Sequence, residues 1–137
     1  MAAYNKFYCF VADVGLKKHE LNTDQLNIYL TNTAPATSNT VYNTPADLAT
    51  GGGYTAGGAA ISTTAYAQSG GVASLTSASS LVFTATTGFG PFRYAVLYNF
   101  TASAQNLIAW WDYGSAVTLG ASETFTVAFG ANIFTLT

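Results

Sequence analysis

The sequence predicts an all-β protein, folded as a single antiparallel β-sandwich with jelly-roll-like connections and one short helix. Short apolar segments recur along the 137 residues, with polar turns between them. Many of these segments alternate apolar and polar residues with the period of two that is typical of strands. Outside one short segment, no stretch has the period of a helix. We therefore expect about nine or ten strands, in one domain that spans residues 1–137.

The clearest strands lie at residues 92–98, 107–113 and 123–129, which are separated by short turns and predict a three-stranded meander. In residues 123–129 every second residue is apolar, so one face of that strand is expected in the core. The other two segments are apolar on both faces. Each is therefore either a central strand covered on both sides or a strand in contact with a partner.

Trp110 and Trp111 are adjacent, so on a strand their side chains point to opposite faces of the sheet. One indole fits into a single sandwich core, and we expect the other at a contact with another subunit. A cover formed by a loop of the same chain is the alternative. Tyr113, on the same strand face as Trp111, completes the group of aromatic interface candidates.

Arg93 is the only arginine of the chain, and Asp112 directly follows the two tryptophans. We expect Arg93 to pair with Asp112 or to stack on an indole, because both arrangements suit a guanidinium group. The Asp112 carboxylate is also expected to accept hydrogen bonds from N–H groups of the following turn. Both residues are thus predicted to have structural roles.

The first half of the chain is predicted from weaker patterns. Residues 1–5 are expected to form a flexible arm, residues 7–14 a strand, and residues 15–25 a solvated turn region. Residues 31–58 are rich in Thr, Asn, Gly and Pro and predict a long loop, in which Thr44 caps a short helix. The arm and the loop are the segments expected to reach neighbouring molecules. Further strands are expected at residues 26–31, 59–68, 72–77, 81–86 and 133–136.

Charged residues make up 7% of the chain, against about 25% in ordinary globular domains. A surface with so little charge is poorly protected against association, so we expect much of it to be covered in an assembly. The net charge is −2 and only four residues are Lys or Arg, which argues against a nucleic-acid partner. No apolar run approaches the length of a membrane span, and residues 7–14 lack the features of a signal peptide, so neither a membrane nor secretion is expected.

The residue types that perform catalysis or bind metals are scarce and scattered. His19 is the only histidine and Cys9 the only cysteine, so neither a zinc site nor a catalytic triad is expected. The glycine-rich segment 51–58 is not followed by Gly-Lys-Ser/Thr and is predicted to form turns, not a phosphate loop. We therefore expect no enzyme activity, no cofactor and no metal.

Five segments occur in the same order as in a group of small virion proteins of tailed bacteriophages: LTNTAPAT (30–37), GGGYTAGGAAIS (51–62), GPFRYAVLYNFTA (90–102), LIAWWDYGSAVTL (107–119) and ETFTVAFGANIFTL (123–136). The chain resembles the capsid decoration or cement proteins of that group over most of its length after Leu26. The most specific parts are FRYAVLYN and WWDYGSAVTL. Phe100 and Ala128 stand where the resemblance leads us to expect acidic residues, so this chain is less charged than the group.

The resemblance implies a structural protein on the outside of the capsid, made in the host cytoplasm, that binds the major capsid protein and stabilises the assembled lattice. Self-association is expected because several strands are apolar on both faces and the surface carries little charge. The resemblance implies that the oligomer is a homotrimer rather than a dimer. The alternative is a carbohydrate- or receptor-binding sandwich module of a phage tail or fibre, in which Trp110, Trp111 and Tyr113 form a platform for sugar rings. The number of copies in a virion separates the two functions, because cement is abundant and a receptor binder is not.

Overall fold

A computed structural model describes residues 3–77 and 79–137. Strands make up 48% of the described residues and helix 8%, so the predicted all-β class is confirmed. In chain order the described elements are β1 (Tyr4–Lys6), α1 (Tyr8–Gly15), β2 (Leu26–Thr31), a 3₁₀ turn (Thr44–Ala46), β3 (Ala59–Ala60), β4 (Thr63–Ser69), β5 (Val72–Ser77), β6 (Leu81–Thr84), β7 (Gly88–Asn99), β8 (Leu107–Gly120), β9 (Thr124–Val127) and β10 (Phe134–Leu136).

The strands form one large antiparallel sheet and two small ones. The large sheet has the order β1-β8-β7-β2-β3, and the small sheets have the orders β10-β5-β4 and β6-β9. Buried side chains from all three sheets meet in one cluster, here called the main core, which makes the architecture a β-sandwich. β9 pairs with β6 and not with β8, so the predicted three-stranded meander is wrong. The jelly-roll order is not confirmed.

Strands β4, β5 and β9 lie where the sequence predicts strands, at residues 59–68, 72–77 and 123–129. β4 and β5 are joined by Gly70 and Gly71, which both have positive φ, 60° and 83°. Two such residues make the tight turn that matches the twist of a hairpin. In β9, Phe125 and Val127 pack on the main core while Thr124 and Thr126 are exposed, as the alternation predicts.

A bulge in the β7–β8 pair changes which residues share a face. Phe92 pairs with Val117, but Tyr94, two residues later, pairs with Asp112. Residues 113–116 of β8 therefore have only one residue of β7, Arg93, opposite them. Phe92 consequently belongs to the main core, whereas Tyr94 packs against the cluster on the opposite face of the sheet.

Residues 7–14 lie mainly in helix α1, so the predicted strand is wrong. An apolar run of this length is compatible with either structure. Phe10 and Asp13, three residues apart, are its buried residues, as expected for one face of a helix. The helix ends where Lys17 adopts a positive φ of 59° and Lys18 donates its N–H to the Asp13 carbonyl at 2.9 Å. This is the hydrogen bond of a Schellman motif.

The N-terminal segment is part of the sheet from Tyr4 onwards. β1 pairs with β8, with Tyr4 opposite Trp111 and Lys6 opposite Ala109. The predicted flexible arm at residues 1–5 is therefore wrong for its described part, and Met1 and Ala2 lie outside the described residues. β1 is an edge strand of the large sheet.

Candidate functional site

The face of the large sheet that points away from the main core, here called the outer face, has its own apolar cluster. Six buried residues form it: Phe7, Tyr29, Val96, Tyr98, Leu107 and Trp110. Cys9 and Tyr42 pack against this cluster from outside the sheet. Burial raises the pKa of the Cys9 thiol to about 11, so the thiol is neutral near pH 7 and behaves as an apolar group.

Both indoles are buried within one chain. Trp111, with 4% of its surface exposed, belongs to the main core. Trp110, with 8% exposed, lies on the outer face against the ring of Phe7, with ring centroids 4.6 Å apart. The prediction that one indole lies at a subunit contact is therefore wrong, and the alternative of a cover from the same chain holds. Tyr113 packs on Phe125, so the three aromatic residues do not form the platform suggested for sugar rings.

The segment that covers the outer face is held in place by one carboxylate. Asp47 accepts hydrogen bonds from the hydroxyl of Tyr42 at 2.6 Å, the hydroxyl of Tyr54 at 2.5 Å and the N–H of Gly57 at 2.5 Å. The Tyr54 hydroxyl in turn accepts the N–H of Leu30 at 2.9 Å, which joins this network to β2. Burial, together with the hydrogen bond to Asp47, raises the pKa of both tyrosines, so both remain donors near neutral pH.

Backbone hydrogen bonds attach the same segment to the start of β8. Tyr42 donates its N–H to the carbonyl of Gln105, and Leu107 donates to the carbonyl of Thr40, both at 2.9 Å. The predicted long loop is thus present between β2 and β3, but its hydrogen bonds fix it to the sheet of its own chain. The 3₁₀ turn at Thr44–Ala46 lies where a short helix was predicted, but Asn43 is its N-cap residue, and no side chain caps it.

A groove of about 340 Å³ opens beside this cover, and we call it the Tyr42 groove. None of the residues described along its walls carries a formal charge. Its lining consists of Tyr29, Thr33, Ala34, Pro35, Ser38, Asn39, Thr40, Val41, Tyr42, Asn43, Ala46 and Leu107.

Arg93 and Asp112 form a bidentate ion pair across the bulge. Arg93 Nε donates to Asp112 Oδ1 at 2.7 Å, and Nη2 donates to Oδ2 at 3.0 Å. Asp112 Oδ1 also accepts the N–H of Gly114 at 2.8 Å. β8 continues to Gly120, so this N–H belongs to the bulged part of the strand, and the predicted turn after Asp112 is wrong. The hydrogen bond to Arg93, and then the one to Gly114, lowers the pKa of Asp112. Both side chains are more than a third exposed, so water and salt screen the pair.

A second polar cluster, which the sequence analysis missed, lies between α1 and the ends of β7 and β8. His19 is buried, with its Nδ1 atom 3.0 Å from the amide nitrogen of Asn99, which also donates to Asp24 at 2.6 Å. Asn106 donates to Asp13 at 3.1 Å. The Nε2 atom of His19 and the Oδ1 atom of Asn106 are enclosed without a hydrogen-bond partner among the described residues. The predicted solvated turn is therefore wrong for His19.

Burial lowers the pKa of His19, while the charges of Asp13 and Asp24 act in the opposite direction. Desolvation disfavours the charged imidazolium, and this effect is the larger one. His19 is therefore held as a neutral ring in the folded chain near neutral pH.

One side of α1 is apolar and open to solvent. Tyr8 is 69% exposed, Val11 58% and Leu16, directly after the helix, 65%. Tyr8, Val11 and the exposed Ala12 are spaced three and four residues apart, so they share one face of the helix. Together with Leu16 we call them the α1 stripe. Large apolar groups clustered in this way are typical of contact surfaces.

Other features of the described residues bear on ligands and location. No group of three or more His, Cys, Asp or Glu side chains within residues 3–77 and 79–137 is placed to hold a metal ion. Among the described helices, none has the length and apolar character needed to span a membrane. No family model matches the sequence, and no curated protein or solved structure matches the chain.

Proposed function

We propose that this chain is a non-enzymatic structural protein of a tailed-phage virion, which binds the outside of the assembled capsid and stabilises it. The observation that carries the proposal is the α1 stripe. Its three large side chains are each more than half exposed, on a chain in which only 7% of residues are charged. Such a surface favours association over free solution. The sequence resemblance to decoration proteins supplies the partner, the major capsid protein.

The environments of the carboxylates favour a structural role over a catalytic one. Five of the six side-chain carboxylates accept a hydrogen bond that fixes a turn, a loop or an ion pair: Asp13, Asp24, Asp47, Asp112 and Glu123. A general acid or base has to be free to exchange a proton with a substrate. Glu20, the remaining acid, is exposed on the surface.

Stabilisation of a capsid by this chain is a consequence of mass action. A protein that binds the assembled lattice and not the free subunits adds the free energy of its own binding at every occupied site. Apolar contacts dominate the proposed interface, so binding depends only weakly on salt. Self-association as a homotrimer is proposed from the resemblance alone, because the outer face that first suggested it is covered by the chain itself.

The proposal is tested by adding purified chain to capsids of the phage that encodes it and measuring bound protein and the temperature at which capsids open. A double variant, Val11→Glu with Leu16→Glu, places charge on the α1 stripe. Val82→Glu is the matched control, because Val82 is 51% exposed on β6, outside the stripe.

We expect the natural chain and Val82→Glu to raise the opening temperature equally. The α1 double variant should bind at least about tenfold more weakly, because a carboxylate loses hydration when it is buried in the contact. Circular dichroism establishes that the variants are folded. If the natural chain fails to bind capsids, or the α1 double variant binds as well as Val82→Glu, the proposal is wrong.

A further inference from the structure

We propose that the Tyr42 groove binds a short, uncharged saccharide. This proposal is independent of the virion role and of the α1 stripe. It starts from the polar groups of the groove, because several of them have no hydrogen-bond partner among the described residues. They are the side-chain hydroxyl of the buried Tyr29 and the side-chain hydroxyl and amide groups of the exposed Thr33, Ser38, Thr40 and Asn43.

Tyr29 is the most buried residue of this set, but its hydroxyl is not one of the fully enclosed polar atoms without a partner, so a ligand in the groove can reach it. Only 4% of its surface is exposed, and it lines the groove while its ring packs edge-on against Tyr42 and Tyr98. Buried tyrosine hydroxyls usually have a partner. Since burial also keeps this hydroxyl protonated, it can donate one hydrogen bond and accept another from a ligand.

The chemistry of the walls selects the class of ligand. Apolar surface is supplied by Pro35, Val41, Leu107 and the ring of Tyr42, next to hydroxyl and amide groups. A sugar ring has the same combination, with C–H groups on its faces and hydroxyl groups around its edge. A charged ligand finds no counter-charge here, because the described lining is uncharged and the Asp47 carboxylate is occupied by Tyr42, Tyr54 and Gly57.

Hydrogen bonds within the chain hold the walls of the groove. Asn39 and Ala36 exchange two hydrogen bonds of 2.9 Å, one through the Asn39 side chain and one between backbones. Tyr42 is fixed by its backbone bond to Gln105 and by its hydroxyl bond to Asp47. Binding to a preformed site loses little conformational entropy. The volume of about 340 Å³ is at the lower end of small-molecule sites, which favours one or two sugar rings over a longer chain.

The test is a titration of isotope-labelled chain with D-glucose, D-galactose, D-mannose, L-rhamnose and N-acetyl-D-glucosamine, followed by NMR of the backbone amides. At least one sugar should cause saturable shifts confined to residues 33–43 and the start of β8. A dissociation constant of about 1 mM is expected for a ligand of this size.

Asn43→Ala and Ser38→Ala each remove one exposed polar group of the groove and should weaken binding about tenfold, as expected for one lost hydrogen bond. Asn22→Ala is the matched control, because Asn22 is exposed outside the groove, and its affinity should be unchanged. The ligand-free spectrum of each variant reports whether it is folded. The proposal of a saccharide site is wrong if none of the five sugars gives saturable shifts, or if both groove variants bind the sugar as tightly as Asn22→Ala does. Either result leaves capsid binding through α1 unaffected.

Discussion

The two faces of the large sheet are both buried, but by different means. The inner face packs on the two small sheets, and its cluster consists of aliphatic and phenyl side chains with two exceptions, Tyr54 and Trp111. The outer face is covered by the start of α1 and by the segment around Tyr42, and half of its buried cluster consists of tyrosine and tryptophan, namely Tyr29, Tyr98 and Trp110. These residues combine an apolar ring with a polar tip, which suits a layer beneath a polar cover.

The difference shows what an apolar pattern can establish. Strands with apolar residues on both faces are buried on both faces, but the pattern does not identify what covers them. On this sheet the second layer is formed by the start of α1 and by the irregular segment around Tyr42, which is held by Asp47 and by backbone hydrogen bonds. Four experiments compare the two faces or the groups that fix their edges.

The largest effect is expected from Trp111→Ala in the main core, which should reduce the free energy of unfolding by about 3–5 kcal/mol. Trp110→Ala on the outer face should cost less, about 3 kcal/mol or below, because an irregular cover can relax into the space more easily than packed sheets. Urea unfolding of the two variants measures both values. An equal or greater cost for Trp110→Ala would show that the outer face is packed as rigidly as the main core.

The next effect concerns the cover itself. Asp47→Ala leaves the donors of Tyr42, Tyr54 and Gly57 without their acceptor. We expect the free energy of unfolding to fall by about 2–3 kcal/mol. Hydrogen exchange should accelerate in residues 33–43 and much less in the hairpin of β4 and β5. Asp47→Asn keeps one oxygen acceptor, so its free energy of unfolding should lie between those of Asp47→Ala and the natural chain. Uniform acceleration across the molecule would contradict a role confined to the segments that the Asp47 network joins.

A smaller effect depends on pH and on His19. Its pKa is lowered in the folded chain, so below the ordinary value of about 6.5 the unfolded state binds more protons than the folded state. The free energy of unfolding should therefore decrease as the pH falls through that value. The carboxylates of Asp13 and Asp24 oppose this effect in part. In His19→Gln the free energy of unfolding should no longer decrease between pH 7 and pH 5. If the decrease is unchanged in that variant, groups other than His19 cause it.

The smallest effect is expected at the Arg93–Asp112 pair, because both side chains are partly exposed. The lowered pKa of Asp112 stabilises the fold above the ordinary aspartate pKa of about 4, and this contribution disappears as the pH falls through the folded value. Arg93→Gln should lower the melting temperature slightly, and added salt should reduce the difference from the natural chain. Asp112→Ala should lower it further, because the bond to Gly114 is also lost.

Much of the sandwich could be predicted from the sequence, and the errors have physical causes. Strands such as β9 are bounded by turns and alternate cleanly, and a two-glycine turn defines the β4–β5 hairpin. α1 was misassigned because an eight-residue apolar run fits helix and strand alike. The β7–β8 bulges are invisible to alternation; Ile108, for example, is an extra residue between Leu107 and Ala109, which face consecutive residues of β7.

The candidate sites were predicted less well, because they depend on contacts between distant segments. The Arg93–Asp112 pair could be proposed because a lone arginine in a chain with few charges has few possible partners. The network around Asp47 joins residues up to 17 positions away from it, counting Leu30 through Tyr54. Its one sequence signal was an acidic residue inside a tyrosine-containing loop, which does not specify partners. The burial of His19 gave no sequence signal, because its partner Asn99 is 80 positions away.

The cover of the outer face by the chain itself is tested most directly by fluorescence quenching of Trp111→Phe, which leaves Trp110 as the sole indole. The measurement uses iodide at a protein concentration at which light scattering shows a monomer. If residues from α1 and the Tyr42 segment bury Trp110, iodide should quench the folded monomer far less than the urea-unfolded chain. Quenching of the monomer as strong as that of the unfolded chain, with protection gained only on self-association or capsid binding, would contradict the cover.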